Sequence, residues 1–217
     1  MSITKFLVTL TICSASCFAQ AASSSREANI VKDVDLSAFT QKAIFDYASG
    51  TQEGYKSAFD NALKAFEGNG DPIASRLLGT MYYTGRGVSQ DKHEALNYFL
   101  IASEFDAEAA YMAGKMMLTA DGVSQNIHDG SDLMSQAADM GYSHAQLEMA
   151  KNSLEQALVE NDGQMKSLME KNSLHYGKKC AATQKECRKV LAYIFEHGLA
   201  GVPKSEIAAK EMYDLAK

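Results

Sequence analysis

Ser89, Gln90, Asp91 and Lys92 have the S-x-x-K spacing of serine enzymes that react with penicillins. The chain offers no S-D-N or K-T-G to complete such a site. Thirty-five residues later the same stretch reads Ser124-Gln125-Asn126-Ile127, without the lysine. A turn followed by a helix cap is the simpler reading of both copies. The five histidines, His93, His128, His144, His175 and His197, are scattered, with no H-E-x-x-H and no cysteine at ligand spacing. No metal, catalytic or cofactor site is read from them. Six methionines between Met112 and Met149 fit ordinary filling between stacked helices better than a binding surface.

The cysteines divide by position. Cys13 and Cys17 lie in an N-terminal segment where Lys5 precedes an apolar run, followed by small residues and Ala19-Gln20-Ala21. This is the pattern of a secretory signal peptide over 1–21, cut after Ala21. The run is shorter than the roughly 20 residues of a membrane span. A lipid anchor on Cys17 is the alternative, and Ser14 stands where a bulky aliphatic residue is expected. Residues 22–36 read as a small, polar leader. Cys180 and Cys187 remain, and two thiols in an oxidising compartment pair. Within one helix they would sit about 10 Å apart along the axis, against about 6 Å between bridged Cα atoms. A disulfide therefore requires the chain to turn over 181–184, with Thr183 and Glu186 as a capping box for the next helix. The location read from this is export, with the periplasm first and secretion or the outer membrane as alternatives.

Removing the signal peptide leaves 20 Lys and Arg against 27 Asp and Glu. That acidity argues against nucleic acid and anionic lipid, whose phosphates need clustered cations. Two prolines, no tryptophan and 46% hydrophobic residues suit an all-helical chain.

What must position any site is an internal repeat. Residues 71–105 are echoed by 106–140, with Ala74, Gly79, Gly87-Val88-Ser89-Gln90 and Ala102 recurring as Ala109, Gly114, Gly122-Val123-Ser124-Gln125 and Ala137. A unit of this length cannot bury its own apolar face and must stack on a neighbour. Each copy reads as two helices around a glycine turn. Asp71 caps the first and Pro72 suits its first turn. Ala74, Leu77, Leu78 and Met81 form one face. Gly79 costs about 1 kcal/mol relative to alanine, a cost offset by close approach of the partner helix. Asp91 and Glu94 start the second helix, which buries Ala95, Tyr98, Phe99 and Ala102. A capping box at Ser143 and Gln146 starts a third copy, which lapses from Glu155 to Lys179. The pattern returns with Gly198 and Gly201-Val202-Pro203, and Tyr55 to Ala65 read as the second helix of an earlier unit.

LGTMYYTGRGVSQDKHEALNYF resembles the signature of Sel1-like repeats, relatives of tetratricopeptide repeats with a longer turn. The resemblance is strong over 71–141 and fair over 187–217. Gly130 stands where the family prefers alanine, and Ala120 replaces a turn glycine. The resemblance implies an all-α, right-handed α/α superhelical solenoid that binds proteins or peptides. About four units are expected over 37–217: clear repeats at 71–105 and 106–142, a degenerate stretch at 143–186 and a C-terminal unit at 187–217. Such exported bacterial proteins resemble envelope adaptors or factors that contact host proteins. Some cysteine-rich relatives resemble β-lactam binders or slow hydrolases, which keeps a cell-wall-directed enzyme as an alternative.

In such arrays the first helices of successive units line the concave side. Arg76, Thr80 and Tyr83 share one side of the first such helix. Their counterparts are Tyr111, Lys115 and Leu118, then Leu147, Lys151 and Leu154. This stripe is expected to receive an extended or helical peptide with some negative charge, because aromatic and Arg side chains anchor interfaces.

Overall fold

The computed structural model describes residues 37–217. The signal peptide, the leader and the lipid anchor on Cys17 lie outside the described residues. Within them the chain forms ten helices: α1 (Ala38–Ala48), α2 (Gln52–Asn69), α3 (Pro72–Thr84), α4 (Lys92–Ala102), α5 (Ala107–Thr119), α6 (Ile127–Asp139), α7 (Ser143–Val159), α8 (Gly163–Cys180), α9 (Lys185–His197) and α10 (Glu206–Leu215). They pack in consecutive pairs, α1 with α2 through α9 with α10. Five units result, one more than the roughly four read from the sequence.

Short polar side chains start most of these helices. Asp71 accepts from the amides of Ile73 and Ala74, and Asp91 from those of His93 and Glu94. Asp106 and Asn126 do the same work for α5 and α6. Each such cap contributes about 1 kcal/mol. Two expected capping boxes are absent. The residue before α7 is Tyr142 and the one before α9 is Gln184, neither with a side-chain cap. Gln146 instead reaches back to the Ala138 carbonyl at 2.9 Å. Thr183 donates to the Cys180 carbonyl at 3.3 Å. In both places a contact to the preceding element takes the polar group away from the cap.

The buried residues fall into clusters that cross unit boundaries. One joins Ala43 of α1, Ala58 and Ala62 of α2 and Leu77, Leu78 and Met81 of α3. The next joins Ala95, Phe99 and Ala102 of α4 to Ala109, Ala113 and Met116 of α5. No single unit closes its own core, as a stacked array requires. Helices approach closely because their contact residues are small. A Cβ on Gly79 would lie 2.8 Å from the Phe99 ring, and one on Gly114 would lie 2.9 Å from the Gly130 carbonyl. Gly130, the departure from the family's alanine, is therefore where α5 and α6 come nearest. Met81, Met116 and Met134 are buried in these contacts.

The stretch from Glu155 to Lys179 is a helix pair in its own right. It continues α7 and supplies α8, and the two are linked by 160–162 alone. The glycine turn has been exchanged for longer helices, 17 and 18 residues against 13 and 11 in α3 and α4. Cys180 and Cys187 are disulfide-bonded with Cα atoms 5.9 Å apart, and both are fully buried. The bond ties the end of α8 to the first turn of α9 across 181–184.

Candidate functional site

Stacking brings the first helices α3, α5 and α7 side by side, and the stripe residues report how they are joined. The Arg76 guanidinium on α3 donates to Asp106, the cap of α5, at 2.8 Å and pairs with Glu108 at 2.9 Å. One unit earlier, Thr40 of α1 donates to Asp71, the cap of α3, at 2.5 Å. One unit later, the Tyr111 ring of α5 packs 5.0 Å from the ring of Tyr142, the residue before α7. The same seam repeats at three junctions with three chemistries.

A second row lies along it. The Tyr111 hydroxyl donates to Glu148 of α7 at 2.7 Å and receives from the Lys115 ammonium at 3.1 Å. Burial pushes the Tyr111 hydroxyl above its ordinary value, with Glu148 adding to the rise. The hydrogen bond to Tyr111 holds Lys115 more firmly protonated. These cations are therefore neutralised by carboxylates of the next unit. Arg76 thus meets two acids and Lys115 one. Tyr111 is 8% exposed and Leu154 is 9% exposed within the core, so neither presents a free side chain. Leu118 packs into the cluster around Met134. Thr80, Leu147 and Lys151 remain half-buried on the row.

The glycine turns make a contact that the sequence did not reveal. Each turn reaches back onto the preceding unit. Arg86, between Gly85 and Gly87, hydrogen-bonds the Tyr47 hydroxyl at 3.2 Å and lies over the Tyr55 ring. A Cβ on Gly87, at φ +78°, would overlap the Tyr55 carbonyl of α2. In the next unit Asp121 takes the place of Arg86. It accepts from the Tyr83 hydroxyl at 2.6 Å and pairs with Lys92. Gly122 rests on the Lys92 stem, and Val123 joins the cluster of Ala95, Leu96 and Phe99. Hydrogen bonds from Lys92 and then Tyr83 hold the Asp121 carboxyl below its usual range. Lys92 is thus committed to Asp121 while Ser89 stands exposed in the turn, so the S-x-x-K pattern is not a serine–lysine pair.

The histidines sit on separate elements. His197 stacks on Tyr193, His144 packs beside Tyr142, and His128 lies near Asp129 and Asp132 of its own helix. Among the described residues no three His, Cys, Asp or Glu converge on a point. None of the described helices is long and apolar enough to cross a membrane.

The family model of the Sel1 repeat matches residues 72–104, 107–142 and 190–217. Among solved structures, a Sel1 repeat protein from Oxalobacter formigenes is similar at a TM-score of 0.62 and 26% identity, over 75% of this chain and 45% of that one. A protective antigen present in uropathogenic Escherichia coli strains, displaying an SLR fold, is similar at a TM-score of 0.62 and 22% identity, over 88% of this chain and 39% of that one. The chain spans less than half the length of either. No curated protein matches the sequence. Repeats recognised at three places and stacked as that family stacks them lead to one conclusion: the chain belongs to the Sel1-repeat proteins.

Proposed function

We propose that the chain is a non-enzymatic scaffold of the bacterial envelope that binds a protein or peptide along its row of first helices. The observation that carries this reading is the repeated seam through Asp71, Asp106 and Tyr142. It holds α3, α5 and α7 in fixed register and so presents Thr80, Leu147 and Lys151 on a preorganised surface. Preorganisation lowers the ordering cost of binding. The buried side-chain polar atoms among the described residues all have partners, which fits a rigid stack. Because Arg76 and Lys115 are already paired, the guest is recognised by shape and hydrogen bonding more than by charge at those two positions. The buried disulfide agrees with an exported protein.

The test is crosslinking in intact cells with a photoreactive residue at position 80 or 147, followed by mass spectrometry of envelope fractions. One dominant protein adduct, lost in a Leu147→Glu, Lys151→Glu variant that keeps its thermal midpoint, is the expected result. Equal crosslinking from positions on the outer faces of α4 and α6 would contradict the placement.

A further inference from the structure

The pair α9 and α10 carries an open version of the slot in which other units receive a glycine turn. Helices α9 and α10 superpose in sequence register on α3 and α4: both first helices have 13 residues and end on a left-handed glycine, Gly85 or Gly198. The residues that hold the turn of the following unit are Tyr83, Lys92, Ala95, Leu96 and Phe99. Their counterparts are Glu196, Glu206, Ala209, Lys210 and Tyr213. Those five residues line an open groove of about 310 Å³ between α9 and α10. Ala209 is buried at its floor and Tyr213 is 40% exposed on its wall. The Tyr213 hydroxyl donates to one oxygen of Glu196 at 3.1 Å, leaving the other oxygen for a guest.

The polar pair of the slot has changed sign. In the filled slot a phenol and an ammonium receive the carboxylate of Asp121. In the open slot two carboxylates stand at the same places, with the Lys210 ammonium on the rim where Leu96 stood. The guest's central residue follows its receptor elsewhere too, since the two tyrosines Tyr47 and Tyr55 receive Arg86. We propose that this groove is a docking site for a glycine-flanked turn of a partner protein carrying Arg or Lys between its glycines. The turn would lay its small backbone on Ala209 and Tyr213 and its cation between Glu196 and Glu206. This site lies on α9 and α10, apart from Thr80, Leu147 and Lys151 on the row of first helices, so each can fail without the other.

The test uses cyclic peptides containing Gly-Arg-Gly-Val-Ser-Gln or Gly-Asp-Gly-Val-Ser-Gln, titrated into the mature chain and followed by amide chemical shifts. The arginine peptide is expected to bind about tenfold more tightly than the aspartate peptide, with shifts centred on 196 and 206–213. Glu196→Gln with Glu206→Gln should remove that preference, and Glu196→Tyr with Glu206→Lys should reverse it. Equal binding of both peptides, no shifts with either, or a preference unmoved by these substitutions would overturn the proposal. Concentration-dependent self-association abolished by Glu206→Lys would also overturn it, because the guest would then be a second copy.

Discussion

The junction between the second and third units and the junction between the third and fourth solve one problem in two ways. In the first, the turn at 120–126 folds back onto α3 and α4, where Asp121 takes two polar partners and Val123 enters the apolar cluster. In the second, α7 and α8 run on and meet at a three-residue link, so no turn reaches back. The places of Tyr83 and Lys92 are then held by Leu118 and Ile127, and Ile127 is 63% exposed. At these two junctions polar slot residues go with a docked turn, and apolar ones with its absence. The glycine turn is thus a contact between units as much as a bend within one, and the disulfide ties the next junction, where the turnless unit meets the last one.

The largest expected effect tests that difference with one substitution on each side. Gly87→Ala puts a Cβ into a left-handed backbone and against the Tyr55 carbonyl. Left-handed strain of about 1–2 kcal/mol and overpacking of about 1–3 kcal/mol give a loss of about 3 kcal/mol in urea unfolding. Gly163→Ala, in the first turn of α8 with open space around it, should cost nothing and can gain up to about 1 kcal/mol. Similar losses at both positions would erase the distinction. Next in size is the disulfide. Replacing Cys180 and Cys187 by serine should lower stability by about 2–3 kcal/mol in the chain-entropy description of a short loop. The loss should appear first as faster amide exchange in α9 and α10, with α3 to α6 unchanged.

How much of this was legible in the sequence differs between the same regions. Asp71, Asp91, Asp106 and Asn126 were readable as caps because capping is local chemistry. Gly79 was readable as a close approach because a mid-helix glycine needs a compensation. The fourth unit was readable only as a degenerate stretch, since its partner helix is announced by neither a glycine turn nor a small-residue pattern. The ion pairs along the stripe were not legible in the sequence. Arg76 meets Asp106 and Glu108, and Lys115 meets Glu148, only once the register between units is set, and that register rests on nonlocal packing. Leu154 and Tyr111 were placed on the surface because helical spacing gives a direction without saying how far the next unit covers it.

Smaller effects sharpen the account further. Tyr83→Phe removes the donor to Asp121 and should cost about 1 kcal/mol, less than a buried hydrogen bond to a charged group because Asp121 is partly exposed. The equivalent change at Leu118 has no polar partner to lose. Ala120 ends α5 at φ +55°, where α3 ends on glycine. Ala120→Gly should therefore stabilise by up to about 1 kcal/mol, while Gly85→Ala destabilises. The Asp121 contact also sets a pH dependence. Its folded carboxyl titrates below the ordinary 3.8, so its stabilisation is present above that value and lost as pH falls through the lower folded value. Asp121→Asn should flatten the acid limb of the stability curve between pH 4 and lower values, a small change because the pair is partly exposed.

The most direct measurement of the turn as a contact between units is amide hydrogen exchange on the mature chain with and without Gly87→Ala. The account predicts faster exchange in the first half of α2, around Tyr55, in the unit before the substitution, with α7 and α8 unchanged. Faster exchange confined to the turn itself and α3, with α2 as protected as before, would contradict it.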